Sequence, residues 1–511
     1  MSSQNVSRRR FLGASAAVMG SGLALAVPSE AKVTGPVKFD ETFDVIVIGS
    51  GFAGLCAAYE AAKAGCRVVV LEKMPTFGGN SIINGGEMTC VGSPQQKAAG
   101  FKDSVDLWIH DTVTAGLGLN HMEKIKVLGE NMLKNYYWLK DEIGVRFKDI
   151  CTQDGGHSVP RSVLAENGSG SGFVNPLLAK CREKNVVLRN RCYVETIWRD
   201  PETGRVTGLK VREGYRFPKE GSGKPKWIRA VKGVVCCYGG FGADVKYRTM
   251  QDPKLTDKFD ITNQRGATAE LWHETARIGA QQILNDWIQV VPWTSPDEKG
   301  MGISWQFSQT CAAPYGIWLD TTTGRRFVNE LQNRKVRADA IMNLGNKGHK
   351  CIAITDVRGA RQLEKNRPGA KDTMLQRKCL FEFKTLEDLC RHFNMPLKPV
   401  QEELAYVNDL LRRHQKSDKF GKLFAPDSTV IENGPWYAAN LLPKIHHCMG
   451  GLLTNGRGQV LDCSDEKPIP GLYAAGESTG GVHGAVRLGC NAILDCCVNG
   501  RIAGENVARE A

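Results

Sequence analysis

The stretch "FDVIVIGSGFAGLCAAYEAAKAGCRVVVLEK", residues 43–73, constrains the fold more than any other part of the chain. Residues 43–48 are apolar apart from Asp44, the pattern of a strand buried on both faces of a parallel sheet. Gly49, Gly51 and Gly54 follow at once in G-x-G-x-x-G spacing, and 53–64 is alanine-rich and helical. A second strand, 67–71, ends at Glu72. Each residue type has a physical task. Gly49 permits the tight turn, Gly51 lets backbone approach a pyrophosphate, and Gly54 lets the helix pack on the strand. Ala53 opens the helix whose N-terminus faces the phosphates. Glu72, 21 residues beyond Gly51, is placed to accept hydrogen bonds from ribose hydroxyls. A lone G-x-G-x-x-G would be an ordinary glycine turn; strand, glycines, helix, strand and acid together predict a dinucleotide-binding unit.

That fingerprint does not choose between dinucleotides. The far end of the chain does. "PGLYAAGESTGGVHGAVRLGCNAILDCCVNGRIAG", residues 470–504, predicts a short strand at 472–475, then Gly476-Glu477, then a helix from about 491 with Asn491 and Ile493 in its first turn. A returning strand with Glu477 behind it suits the ribityl chain of an extended FAD. The following helix points its N-terminus at the flavin pyrimidine and favours negative charge there. No flavinylation motif is present, so the FAD is expected to be held non-covalently.

With 511 residues the chain has room for two or three domains, and 42% hydrophobic with 24% charged content is that of a globular protein. Ser7-Arg8-Arg9-x-Phe11-Leu12, an apolar stretch from Ala14 to Val27 and small residues at Ser29-Glu30-Ala31 read as a twin-arginine signal over 1–31, and hence a periplasmic location. The alternative, a membrane anchor, suffers from a run too short and glycine-rich to span. No other spanning run occurs, and no stable membrane insertion is expected. The formal charge is +13; removing residues 1–31 takes away three arginines and one glutamate and leaves +11. Such a surface could attract an acidic redox partner or anionic substrates, or be merely solvated. No nucleic-acid-binding motif is visible. The 17 cysteines show no CxxC or CxxCH spacing, which removes support for zinc ribbons and leaves no c-type haem; they read mostly as small buried hydrophobes.

Several further segments resemble the flavoprotein subunits of the fumarate reductase and succinate dehydrogenase superfamily, in particular the soluble periplasmic fumarate reductase (flavocytochrome c) and urocanate reductase branch, without the haem domain. They are "GSGFAG", "GGNSIINGG" (78–86), "GGHSVPR" (155–161), "CCYGGFGAD" (236–244), "RRFVNELQNR" (325–334), "IHHCMGG" (445–451) and "AAGESTGGVHGAVRLGCNAI" (474–493), in family order. The resemblance implies an α/β fold: a Rossmann-like FAD-binding domain, 38–288 and 443–511, interrupted by an α+β capping domain, 289–442. It also implies that "GGNSIINGG" wraps the FAD, with Gly79 in the turn, Asn80 and Ser81 as polar contacts and Gly85 and Gly86 allowing close approach.

Members of this branch reduce a carbon–carbon double bond conjugated to a carboxylate. By resemblance, Arg334 is the proton donor, and His447 and Arg487 hold the substrate carboxylate. The need is physical: an enoate resists hydride because its carboxylate already pushes charge toward the β-carbon. A guanidinium fork and an imidazole stabilise the charge that grows there. Read alone, the histidine pair 446–447 could be structural or a metal site, and Arg334 a surface ion-pair residue near Glu330. No metal is expected. Two positions depart from the fumarate reductase pattern. Val291 precedes Pro292 where a second carboxylate-binding histidine is expected, and Gln309 stands near the place of a relay glutamate. Trp293, Trp305, Tyr315 and Trp318 crowd the same region, as core or as an apolar pocket wall. The expected function is reduction of a monocarboxylic enoate in anaerobic respiration, with electrons from a separate protein, a c-type cytochrome. The alternatives are a fumarate reductase proper, a flavin-dependent ketosteroid dehydrogenase, or a non-catalytic flavin electron carrier.

Overall fold

Five parallel strands carry the fold, in the order Val187–Arg189, Val68–Leu71, Glu41–Ile48, Lys224–Cys236, Pro468–Ala474, with Gln459–Leu461 antiparallel on the outer edge. The computed structural model describes residues 37–425 and 427–511, without the side chain of Asn366. The export signal expected at 1–31 lies outside the described residues. The first strand starts two residues earlier than the apolar run suggests, and the helix that follows is Phe52–Lys63. Val45, Ile46 and Val47 have no exposed surface, as expected for a strand covered on both faces. Gly54 is required by contact: a Cβ there would lie 2.0 Å from the carbonyl oxygen of Gly49.

The register explains why distant motifs meet. Ile48 pairs with both Leu71 and Cys236, and Cys236 pairs with Ala474. Four strands therefore end at one level, and the next residues in each (Gly49, Glu72, Cys237, Ala475) form a single rim. In open α/β sheets this carboxyl edge is where ligands bind. Helix Asn491–Ala508 lies against helix Phe52–Lys63 behind the rim.

A second sheet is antiparallel: Arg325–Arg326, Ile317–Asp320, Cys351–Thr355, Trp436–Leu441, Phe381–Phe383. Both its faces are apolar and alternate strictly. Trp318, Ala353 and Ala439 pack to one side, while Ile317, Leu319, Ile352, Ile354 and Ala438 pack to the other. The chain runs out to this capping sheet through strand Ile288–Val291 and returns through Lys444–Cys448, and these two strands pair antiparallel.

None of the cysteines is in a disulfide, and all but Cys66, Cys151, Cys463 and Cys496 are buried, so they behave as the small core hydrophobes expected. Among the described residues, no helix is long and apolar enough to cross a membrane.

Candidate functional site

A cleft with about 970 Å³ of empty space, part of it open to solvent, runs along the sheet rim from Glu72 to Glu477. Gly49, Gly51, Ala53, Glu72, Gly79, Asn80, Ser81 and Glu477 all line it. Glu72 is fixed before any ligand arrives: one oxygen accepts from Ser50 Oγ at 2.5 Å, the other from the Met74 N–H at 2.8 Å. Ser81 Oγ accepts from the Phe52 N–H at 3.0 Å, and Asn80 Oδ1 from the Gln264 N–H at 2.7 Å. An elongated cleft with an acid at the ribose end, a helix N-terminus in the middle and a second strand–Gly–Glu element at the far end fits FAD. Gly54, Gly85, Gly86, Asn491 and Ile493 do not line it. Gly85 faces the Trp305 ring, Gly86 the backbone of Ser169, and the Asn491 side chain bonds Trp108 and Thr112.

Beyond the Glu477 end, the three residues singled out for chemistry come together. Strand pairing sets Gln289 directly opposite His447. The Gln289 amide oxygen accepts from Arg487 Nη2 at 2.8 Å and from Arg334 Nη1 at 3.2 Å. Two guanidinium groups 153 residues apart thus share one oxygen atom. Arg334 is the first residue of helix Arg334–Gly345, and the cap holds it there: Asn333 Oδ1 accepts from the Val336 N–H at 3.1 Å. Its Nη2 donates to Asp154 at 2.7 Å and its guanidinium lies 4.7 Å from the centre of the Trp293 ring. His447 Nε2, Arg487 Nε and Arg334 Nε are buried and have no protein partner.

The adjacent histidines point apart, as neighbours in a strand must. His446 Nδ1 lies 2.7 Å from Thr262 Oγ1, whereas His447 Nδ1 lies 3.4 Å from Glu477 Oε1. Among the described residues no group of three or more His, Cys, Asp or Glu could hold a metal. Burial, reinforced by Arg487, holds the His447 imidazole well below its ordinary range, so it is neutral at pH 7. Burial and the neighbouring Arg334 pull Arg487 down to about 9. Burial raises the Glu477 carboxyl.

A family profile described as an FAD binding domain matches residues 44–493. The acrylate reductase flavoprotein subunit of Shewanella woodyi is 39% identical over 503 residues, 97% of each chain. The urocanate reductase of Eggerthella lenta is 31% identical over 475 residues, 92% of this chain and 76% of its own. The open conformation of a flavocytochrome c3 fumarate reductase superposes with a TM-score of 0.72 at 31% identity, over 92% of this chain and 79% of that one.

This chain belongs to the fumarate reductase and succinate dehydrogenase flavoprotein family. It is an FAD-dependent oxidoreductase of the fumarate and acrylate reductase type. The reading of Arg334 as a surface residue paired with Glu330 is corrected: Arg334 is 6% exposed and pairs with Asp154, while Glu330 pairs with Arg326. The aromatic cluster is mostly framework in this family member. Trp293 and Trp318 flank the Arg337 guanidinium at 5.1 and 5.4 Å, and Tyr315 turns its hydroxyl to Asp427. Trp305 alone reaches the wrap loop, against Gly85.

Sequence reasoning missed Asp154, Gln289 and Arg337. Gln289 was legible only as the residue two before Val291. Asp154 lies in a loop that reads as an ordinary turn, and its partner is 180 residues away.

Proposed function

We propose that this flavoprotein reduces the carbon–carbon double bond of an α,β-unsaturated monocarboxylate. The observation that supports this most is the single cationic focus: Arg334 and Arg487 meet at Gln289 Oε1, opposite His447, and all three retain unpartnered nitrogens there. One carboxylate satisfies them. A second carboxylate would need another donor set, and the position before Pro292 is Val291, apolar and fully buried. The similarity to an acrylate reductase flavoprotein subunit points the same way.

In this reading the Arg487 fork binds the carboxylate, and His447 Nε2 adds a hydrogen bond. FAD held along the rim by Gly51, Glu72, Asn80, Ser81 and Glu477 would supply the hydride for the β-carbon. Arg334 gives its proton to the α-carbon, which carries the most negative charge as the double bond is consumed. A guanidinium is a weak acid and serves only if the acceptor is strongly basic and its proton is quickly returned. Arg334, Arg487 and His447 are each at most 7% exposed, so the charge growing on the carboxylate is met by fixed, buried donors.

Non-covalent FAD follows from the absence of a flavinylation motif. Periplasmic export follows from Ser7 to Leu12, and a separate electron donor, a c-type cytochrome, from the lack of a haem motif. A respiratory role and the division into a flavin domain, 38–288 with 443–511, and a cap, 289–442, complete the proposal; the crossing strands at 288–291 and 444–448 support those limits.

The test is anaerobic reoxidation of the dye-reduced protein by acrylate, methacrylate, cinnamate, urocanate, fumarate and an enone steroid. Fast turnover of acrylate or a substituted acrylate, with slow fumarate, is expected. Fast fumarate would establish a fumarate reductase proper. Turnover of the steroid alone, or of nothing, would favour the dehydrogenase or the electron carrier.

A further inference from the structure

An arginine acid must be reprotonated, and the residue near the family's relay glutamate is here Gln309, which cannot carry a proton. The structure offers a different route. Asp154 Oδ2 accepts from Arg334 Nη2 at 2.7 Å, and Asp154 Oδ1 accepts from the Gln309 amide at 3.0 Å. Gln309 in turn accepts from Arg337 at 2.7 Å, so its amide is locked with N–H toward Asp154. The Asp154 Oδ2 that accepts from Arg334 also meets the Cys490 thiol at 4.0 Å, and that thiol reaches Glu87 Oε2 at 3.6 Å. Glu87 is 22% exposed and pairs with Arg367 at 3.4 Å. None of these residues lines the dinucleotide cleft.

Two features show that the route is built. Gly489 makes room for it: a Cβ there would lie 1.6 Å from Asp154 Oδ2. Cys490 adopts φ +65, a left-handed conformation that favours glycine, yet it carries a thiol rather than a hydrogen. His157 lies 2.9 Å from the Gly489 carbonyl and helps hold the two segments together.

We propose that Asp154, Cys490 and Glu87 form a proton relay that restores Arg334 from the solvent side, in place of the relay through the residue at 309. This rests on the enoate reading above. The balance is one proton per turnover. Arg334 loses a proton to the α-carbon. Asp154, ionised at rest, then takes the thiol proton and hands it to the neutral guanidine; Glu87 reprotonates the thiolate, and water reprotonates Glu87. Burial, with Glu87 and Asp154 facing it, holds the Cys490 thiol well above its ordinary range, so it carries its proton at rest. Burial would raise Asp154, but Arg334 and Arg337 outweigh it and keep the carboxylate ionised at rest. Desolvation holds Glu87 above its ordinary range, with Asp154 adding to it against Arg367, so it keeps its proton to higher pH than an exposed carboxyl. When Arg334 becomes neutral, Asp154 loses its nearest counter-charge and its proton affinity rises at that moment.

The experiment uses FAD-loaded wild type, Asp154→Asn, Glu87→Gln and Glu87→Asp, dye-reduced, with acrylate and the other enoates as oxidants. Asp154→Asn should lower kcat about 10²-fold and Glu87→Gln about tenfold, each with KM and FAD content nearly unchanged. Both should show a larger solvent deuterium effect on kcat, and the Glu87→Gln deficit should narrow as pH rises and wild-type Glu87 loses its proton. Glu87→Asp should recover most of the rate. A merely structural role would change KM or FAD content and leave the isotope effect alone. Should Asp154→Asn fail to hold FAD, Glu87→Gln decides. Wild-type kcat, isotope effect and pH profile in Glu87→Gln overturn the relay and leave the enoate reading standing. A wild type that no enoate reoxidises overturns both.

Discussion

At the residue scale, the site works by making ordinary side chains unusual. Arg487 is pulled down to about 9 by burial and by Arg334. Its positive charge is present below that pH and lost above it, so kcat/KM for a carboxylate substrate should fall as pH rises through about 9. The bound carboxylate stabilises the guanidinium, so kcat should hold to higher pH; a pH–rate series separates the two. His447 is neutral at pH 7 because its folded value is well below the ordinary one. No His447 inflection is expected in kcat/KM between pH 6 and 8. A carboxylate arriving at Nε2 raises the ring's proton affinity, and Glu477 beside Nδ1 acts in the same sense. Binding of propionate, a saturated analogue, should therefore take up protons. Calorimetry in buffers of different ionisation enthalpy measures this, and a buffer-independent heat would show that His447 stays neutral.

At the element scale, single elements aim single groups. Asn333 caps helix Arg334–Gly345 and so fixes where Arg334 begins. Asn333→Ala should cost about 1 kcal/mol of stability, measured by denaturant unfolding, and lower kcat while FAD stays bound. Much of this scale was legible in the sequence. The strand–glycine–helix unit at 41–63 and the C-terminal strand and helix are local patterns, and their limits shift by only a few residues in the structure. The three-stranded sheet of Glu87–Thr89, Phe147–Thr152 and Ser162–Ala165 was not legible. Its strands are short, and Glu87–Thr89 pairs with Ser162–Ala165, more than 70 residues away. The pairing of Gln289 with His447 was hidden for the same reason: it is a register between strands 158 residues apart. Asp154 was hidden because a carboxylate in a glycine turn looks solvated until the helix bearing Arg334 is placed over it.

At the scale of the whole molecule, one sheet rim collects the cofactor groups and one pair of crossing strands brings the capping sheet over it. The basic surface, formally +13, should matter for electron delivery more than for chemistry. Reduction by an acidic donor protein should slow as ionic strength rises from about 0.01 to 0.5 M, where the Debye length falls several-fold. Dye-driven turnover should change little, and equal salt dependence of both would mark the surface as merely solvated. The central claim is that one guanidinium, fixed by Asn333 and Asp154 beside the substrate grip, is the acid of the reaction. Steady-state reduction of acrylate by FAD-loaded Arg334→Ala tests it most directly. Normal FAD content, normal reduction by dye and a kcat about 10³-fold lower are expected. An Arg334→Ala enzyme that reduces acrylate as fast as the wild type would contradict it.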